Sequence, residues 1–148
     1  MEVMMKKKIL LAVITAAVLL GGCGSQSGMK DGFYTAETAE YSHGWKEYVC
    51  IMVKDNAIVS VEFNAKNPSG YIKAWDNAYM QNMSTVSGTY PNEYTRLYGA
   101  QLLAEQGDFQ LDAVSGASHS GHNFEKLAAA VMEQARKGDS TTVQVATE

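Results

Sequence analysis

Between residues 57 and 64 the chain alternates strictly. Ala57, Val59, Val61 and Phe63 fall on one side and Ile58, Ser60, Glu62 and Asn64 on the other, the period of a half-buried strand. Ahead of it, Trp45 to Lys54 is a second β-prone run, and Asp55-Asn56 supplies a two-residue hairpin turn between them. A further run, Phe33-Tyr34-Thr35-Ala36, follows the turn residues Asp31-Gly32. The front of the domain thus reads as a three-stranded antiparallel meander with one apolar face to cover. Lys66-Asn67-Pro68-Ser69-Gly70 breaks the pattern, and the period then changes. Ile72, Trp75, Tyr79, Met83 and Val86 recur at three and four, one face of a helix that ends in Ser87-Gly88-Thr89-Tyr90-Pro91. A second helix from about Asn92 places Tyr94, Leu97, Tyr98, Gln101 and Leu102 inside, with Gly107 as its C-cap. Phe109 to Val114 reads as a last strand or extended approach. The final helix, His122 to Arg136, carries Phe124, Leu127, Ala128, Val131 and Ala135 at helical spacing. Strands first and helices after predict an α+β fold: a small antiparallel sheet with helices packed on one face.

The chain has 148 residues, enough for one domain of ordinary size once its start is set apart. Lys6, Lys7 and Lys8 precede an apolar run from Ile9 to Leu20 that ends in Gly21-Gly22-Cys23. The run is too short to span a bilayer and has the length of a signal h-region; an N-terminal anchor helix is the alternative. The predicted organisation is a signal peptide over 1–22, Cys23 and a Gly/Ser-containing tether over 23–30, the domain over 31–138 and a polar, frayed tail over 139–148. Loss of residues 1–22 removes Lys6, Lys7, Lys8 and Glu2 and moves the formal charge from −4 to −6. An acidic exported domain is poorly suited to nucleic acid, whose affinity rests on neutralising phosphates. Of the two cysteines only Cys50 would then remain beside Cys23, so no disulfide is expected within the domain, and Cys50 reads as a small buried core residue.

The chemistry concentrates in Asp112-Ala113-Val114-Ser115-Gly116-Ala117-Ser118-His119-Ser120, which runs straight into the last helix. Small residues and three hydroxyls at a helix start make an anion site, because the first N–H groups have no intrahelical partner and the macrodipole is positive there. A serine hydrolase is set aside, since Gly116-Ala117-Ser118-His119-Ser120 lacks the closing glycine of a nucleophile elbow and adjacent residues rarely take triad geometry. His119 and His122 are spaced as metal ligands on a helix turn can be, yet no cysteine or His-Glu-x-x-His pattern accompanies them, so both read as polar residues at a helix start. Asn82-Met83-Ser84 fits a glycosylation sequon by chance.

Asp112-x-x-Ser115-Gly116-Ala117-Ser118 resembles the flavinylation motif of the FMN-binding domain family, usually Asp-x-x-Ser/Thr-Gly-Ala-Thr. The likeness extends to the opening strand at Asp31-Gly32-Phe33-Tyr34-Thr35-Ala36 and the hairpin Val53-Lys54-Asp55-Asn56-Ala57-Ile58. Val86-Ser87-Gly88-Thr89 resembles the small exported lipoprotein branch, and Leu20-Gly21-Gly22-Cys23 resembles a lipobox, which implies acylation of Cys23. The resemblance implies FMN linked through its phosphate to the hydroxyl of Ser118 by a separate flavin transferase, with the C-terminal helix following the attachment loop. This chain has serine where the family more often has threonine. Ser115, Gly116, Ala117, Asp112, His119 and Ser120 complete the expected cofactor-binding set: Gly116 and Ala117 for close approach, Asp112 for fixing the loop or serving the transferase, His119 and Ser120 beside the phosphate. Trp45, Tyr71, Trp75 and Tyr79 are candidates to pack against the isoalloxazine. Trp75 and Tyr79 also fit a core stripe, so Tyr71 and Met80 are the preferred contacts.

The implied function is electron carriage on the extracytoplasmic face of the cell membrane, to which acyl chains anchor the protein. Electrons would come from a membrane donor such as a quinol-linked dehydrogenase and pass to another carrier or an external acceptor, the cofactor supplying the redox chemistry. The alternative is a surface lipoprotein of the same domain type without covalent flavin, acting in ligand binding or adhesion.

Overall fold

A computed structural model describes residues 28–107 and 110–147. The expected signal peptide, Cys23 and most of the tether lie outside the described residues. Three strands come first: β1 (Gly32–Thr38), β2 (Lys46–Lys54) and β3 (Ala57–Lys66). A 3₁₀ turn (Lys73–Trp75) leads into α1 (Asn77–Ser87), α2 (Pro91–Glu105) and α3 (Ser118–Lys137), and the chain ends on β4 (Val143–Val145). The sheet order is β3-β2-β1-β4, antiparallel throughout the meander and parallel between β1 and β4. The α+β fold with helices against one face is as expected. The tail is not frayed: its Val143-Gln144-Val145 alternation adds a fourth strand to the free edge of β1, making the sheet mixed.

Local chemistry explains the meander. Asp55 and Asn56 both take positive φ, 52° and 62°, as a type I′ hairpin turn demands. The Asp31 carboxylate accepts the Asp55 N–H at 2.8 Å and ties the turn to the start of β1. In β3 the expected alternation fails at one point. Val53 pairs with Ile58 but Met52 pairs with Ser60, so Val59 is an extra residue, a β-bulge. The bulge turns Ile58 into the core and leaves Val59 46% exposed, while Phe63 and Ala65 stay inside. Gln106, just past α2, holds the bulged strand: its side chain accepts from Ile58 N–H at 2.8 Å and donates to Ile58 C=O at 3.0 Å.

The inward face of β2 reads Glu47, Val49, Ile51, Val53. Cys50 therefore points to the other, helix-free face and is half-buried there, which corrects its expected core position. The core lies between sheet and helices around Phe63, Tyr98 and Phe124, with the Tyr98 and Phe124 rings stacked at 5.7 Å. α2 covers β3, and α3 covers β1 and β2. α1 buries no residue fully. Trp75, just before it, and Val86 are exposed, so the two ends of their predicted stripe miss the core, while Met83 packs against its edge. Leu97 on α2 is likewise exposed. No helix among the described residues is long and apolar enough to cross a membrane.

Candidate functional site

The loop from residue 110 to 117 has no regular structure apart from a turn at Ser115-Gly116 and is held by α2. Gln101 grips Asp112 by its backbone, accepting from its N–H at 2.7 Å and donating to its carbonyl at 3.0 Å. One turn earlier, the buried Tyr98 hydroxyl accepts the Val114 N–H at 3.0 Å and donates to the Ala117 carbonyl at 3.1 Å. Between those residues the chain makes a tight turn, Ala117 N–H to Val114 C=O at 3.0 Å, with Gly116 at φ 84°. A Cβ at Gly116 would run into the Ser87 carbonyl at the end of α1. Gly116 is thus required both by its conformation and by the close approach of α1.

α3 begins directly after this turn. Its N-cap, Ala117, offers no side-chain acceptor, and the first intrahelical bond is Gly121 N–H to Ala117 C=O. The N–H groups of Ser118, His119 and Ser120 therefore remain open to an anion, with no acidic residue in the first turn to oppose one. Ser115, Ser118 and His119 are exposed; Ala117 is buried. Ser120 does not join them. It turns inward, its hydroxyl donating to Glu47 at 2.5 Å. Asp112 is exposed, and only its backbone is engaged by α2. His122 and His119 take different partners: His122 lies 3.9 Å from Glu125, whereas His119 approaches Asn123.

Beside the start of α3 opens a cleft of about 200 Å³. Its lining includes Trp45, Tyr79, Met83, Tyr94, Glu47 and Asn123, together with Gly116, Ala117, His119 and Ser120 from the loop and helix start. Trp45 is delivered by a small turn, Ser42 to Trp45, in which His43 and Gly44 take positive φ of 51° and 84°. It meets Tyr79 edge to face at 6.1 Å. The Lys73 ammonium lies 4.6 Å from the Tyr79 ring centre and 5.8 Å from that of Trp45. The apolar stripe of α1 thus serves this cleft through Tyr79 and Met83. Tyr71 packs on Trp75 instead, outside the cleft, and donates to its carbonyl; neither Tyr71 nor Met80 lines it.

The floor holds residues that sequence reasoning missed. Glu47 is buried and accepts Ser120 Oγ at 2.5 Å and Asn123 Nδ2 at 2.7 Å. Burial keeps the Tyr94 phenol above its ordinary pKa, the Ser120 hydrogen bond opposes this, and the charge of Glu47 adds to it. The signal was present: Glu47 occupies the inward register of a strand whose other inward residues are Val49, Ile51 and Val53.

No family model matches the chain. It is 30% identical over 128 residues to the 15 kDa lipoprotein of Treponema pallidum, spanning 86% of this chain and 90% of that protein. The chain belongs to that lipoprotein family. A crystal structure of the CPE2226 protein from Clostridium perfringens shares the fold at a TM-score of 0.75, with 35% identity over 81% of this chain and 99% of that one. Membership brings a membrane-anchored lipoprotein into view.

Proposed function

We propose that the protein is anchored by lipid on Cys23 at the extracytoplasmic face of the cell membrane. There it carries electrons through FMN joined by its phosphate to the Ser118 hydroxyl. The observation that carries this reading is the position of Ser118. It stands exposed on the first turn of α3, between two neighbours, Ala117 and His119, that both line the aromatic cleft.

The residues present fit the group. The open N–H groups of Ser118, His119 and Ser120 suit a phosphodiester, and the missing Cβ of Gly116 lets the loop seat against α1. Trp45, Tyr79 and Met83 offer apolar surface to a flat ring and exclude water from it. FMN supplies electron transfer in single or paired steps when bound; the chain holds it and prevents its loss to the medium. Tyr98 and Gln101 position the attachment loop from α2, so that a flavin transferase meets Ser118 on a fixed turn. A membrane dehydrogenase linked to quinol is the matching class of donor.

Co-expression of the full chain with a flavin transferase tests the reading. In-gel flavin fluorescence and an added FMN-sized mass are expected, retained in Ser118→Thr and lost in Ser118→Ala. Absence of the added mass, or its survival in Ser118→Ala, overturns the assignment and leaves a lipoprotein whose cleft serves ligand binding alone.

A further inference from the structure

The cleft floor is rich in acceptors whose neighbouring donors are already engaged. Glu47 is 8% exposed and makes no ion pair among the described residues. The Ser120 hydroxyl and the Asn123 amide both donate to it. The remaining side of the Asn123 amide nitrogen lies 3.5 Å from His119 Nε2. Asn123 is itself 3% exposed, and its Oδ1 is the buried side-chain polar atom that has no donor among the described residues. A buried carboxylate without a cation and a buried amide oxygen without a donor each cost stability unless a ligand completes them. Each carboxylate oxygen retains a further lone pair, and Asn123 Oδ1 retains both. This floor asks for an N–H donor, and the cation of the cleft, Lys73, stands apart from it against the Trp45 and Tyr79 rings.

We infer that the Glu47–Asn123 floor receives the N–H edge of a flat, neutral heteroaromatic ring lying against Trp45 and Tyr79. Resting on the flavin reading, that edge is the imide N3–H of the isoalloxazine. The division of labour follows from charge: the phosphate goes to the open N–H groups at the start of α3, and the ring edge goes to the acceptors. Asn123 lies five residues along α3 from Ser118, an axial rise of about 7.5 Å at 1.5 Å per residue, to be spanned by the ribityl chain together with the part of the ring between its N10 and N3. Glu47 and Asn123 are therefore specificity-determining residues for the ring, separate from the attachment chemistry at Ser118.

Riboflavin tests this, because it has the ring and ribityl chain but no phosphate and cannot be joined to Ser118. The full lipoprotein, made without a flavin transferase and held in detergent, is titrated with riboflavin and with N3-methylriboflavin, reading flavin fluorescence. The methyl compound should bind about tenfold more weakly or worse, the loss expected for one hydrogen bond to a charged acceptor. Glu47→Gln should weaken riboflavin by a similar factor and close the gap between the two ligands. If that variant does not fold, the two ligands on the unaltered protein decide the matter alone. Equal binding of both ligands overturns the inference. So does failure to bind riboflavin, and if such a protein still gains the FMN mass on Ser118, the attachment reading stands while the floor reading falls. Discrimination between the ligands without any FMN mass has the opposite meaning.

Discussion

Replacing Tyr98 by Phe removes a single oxygen and leaves the ring in place against Phe124 and Phe63. No cavity larger than that atom forms, so the cost is almost wholly polar. The Val114 N–H loses its acceptor, and the Ala117 carbonyl loses one donor but keeps Gly121 N–H at 2.9 Å. Two hydrogen bonds at about 1 kcal/mol each, plus part of the penalty for a stranded N–H, give about 2–3 kcal/mol. For a domain of this size that is a fall in Tm of roughly 10 °C. Urea unfolding followed by circular dichroism should show a lower midpoint at an unchanged slope, since the surface exposed on unfolding is the same. Tyr71→Phe is the internal comparison. Its hydroxyl also donates to a carbonyl, Trp75 C=O at 2.9 Å, but at an exposed site, so its effect should stay within about 0.5 kcal/mol. If the two variants lose the same small amount, the Tyr98 hydroxyl does not hold the loop.

Two further substitutions probe separate parts of the argument. Gly116→Ala places a side chain at φ 84° and against the Ser87 carbonyl; the backbone conformation alone should cost about 1–3 kcal/mol in urea unfolding, and an unchanged midpoint would show that the loop does not seat on α1. Glu37, on the outer face of the sheet, is opposed by burial, but hydrogen bonds from Lys66, Gln144 and Lys46 outweigh this and lower its pKa from 4.5 to about 2. Its contribution to stability is therefore full above pH 4.5 and is lost as pH falls toward 2; Glu37→Gln should flatten the pH dependence of the urea midpoint in that window, and an identical acid profile would refute the pairing.

How much of this was legible depends on what a residue pattern can encode. The hairpin was readable because Asp55-Asn56 specifies its own backbone. The bulge at Val59 was not, since alternation gives only the parity of a strand and one inserted residue reverses it. Cys50 had the information beside it: Val49, Ile51 and Val53 fix the inward parity, and Cys50 falls on the other. The stripe on α1 was a true stripe with a misjudged destination. Apolar spacing says that a face seeks cover, and here part of that cover is a cleft rather than the core. β4 is three residues long, too short for its alternation to stand out from a polar tail.

The attachment motif shows the same division between chemistry and geometry. Its hydroxyls, glycine and position before α3 could be read in order along the chain, but its shape is set by Tyr98 and Gln101, which in sequence look like the inner face of an ordinary helix. The floor adds a second lesson. A carboxylate among Val49, Ile51 and Val53 contradicts the strand that carries it, and such a contradiction marks a place where the fold accepts a cost. Nor is Glu47 an isolated fault that an apolar residue would mend. Leucine there would extend the stripe yet remove the acceptor shared by the Ser120 hydroxyl, left with Tyr94 alone, and the Asn123 amide, both of which have turned inward to meet the carboxylate. Glu47, Ser120 and Asn123 therefore stand or fall as one unit, and that unit joins β2 to the first two turns of the helix on which Ser118 sits.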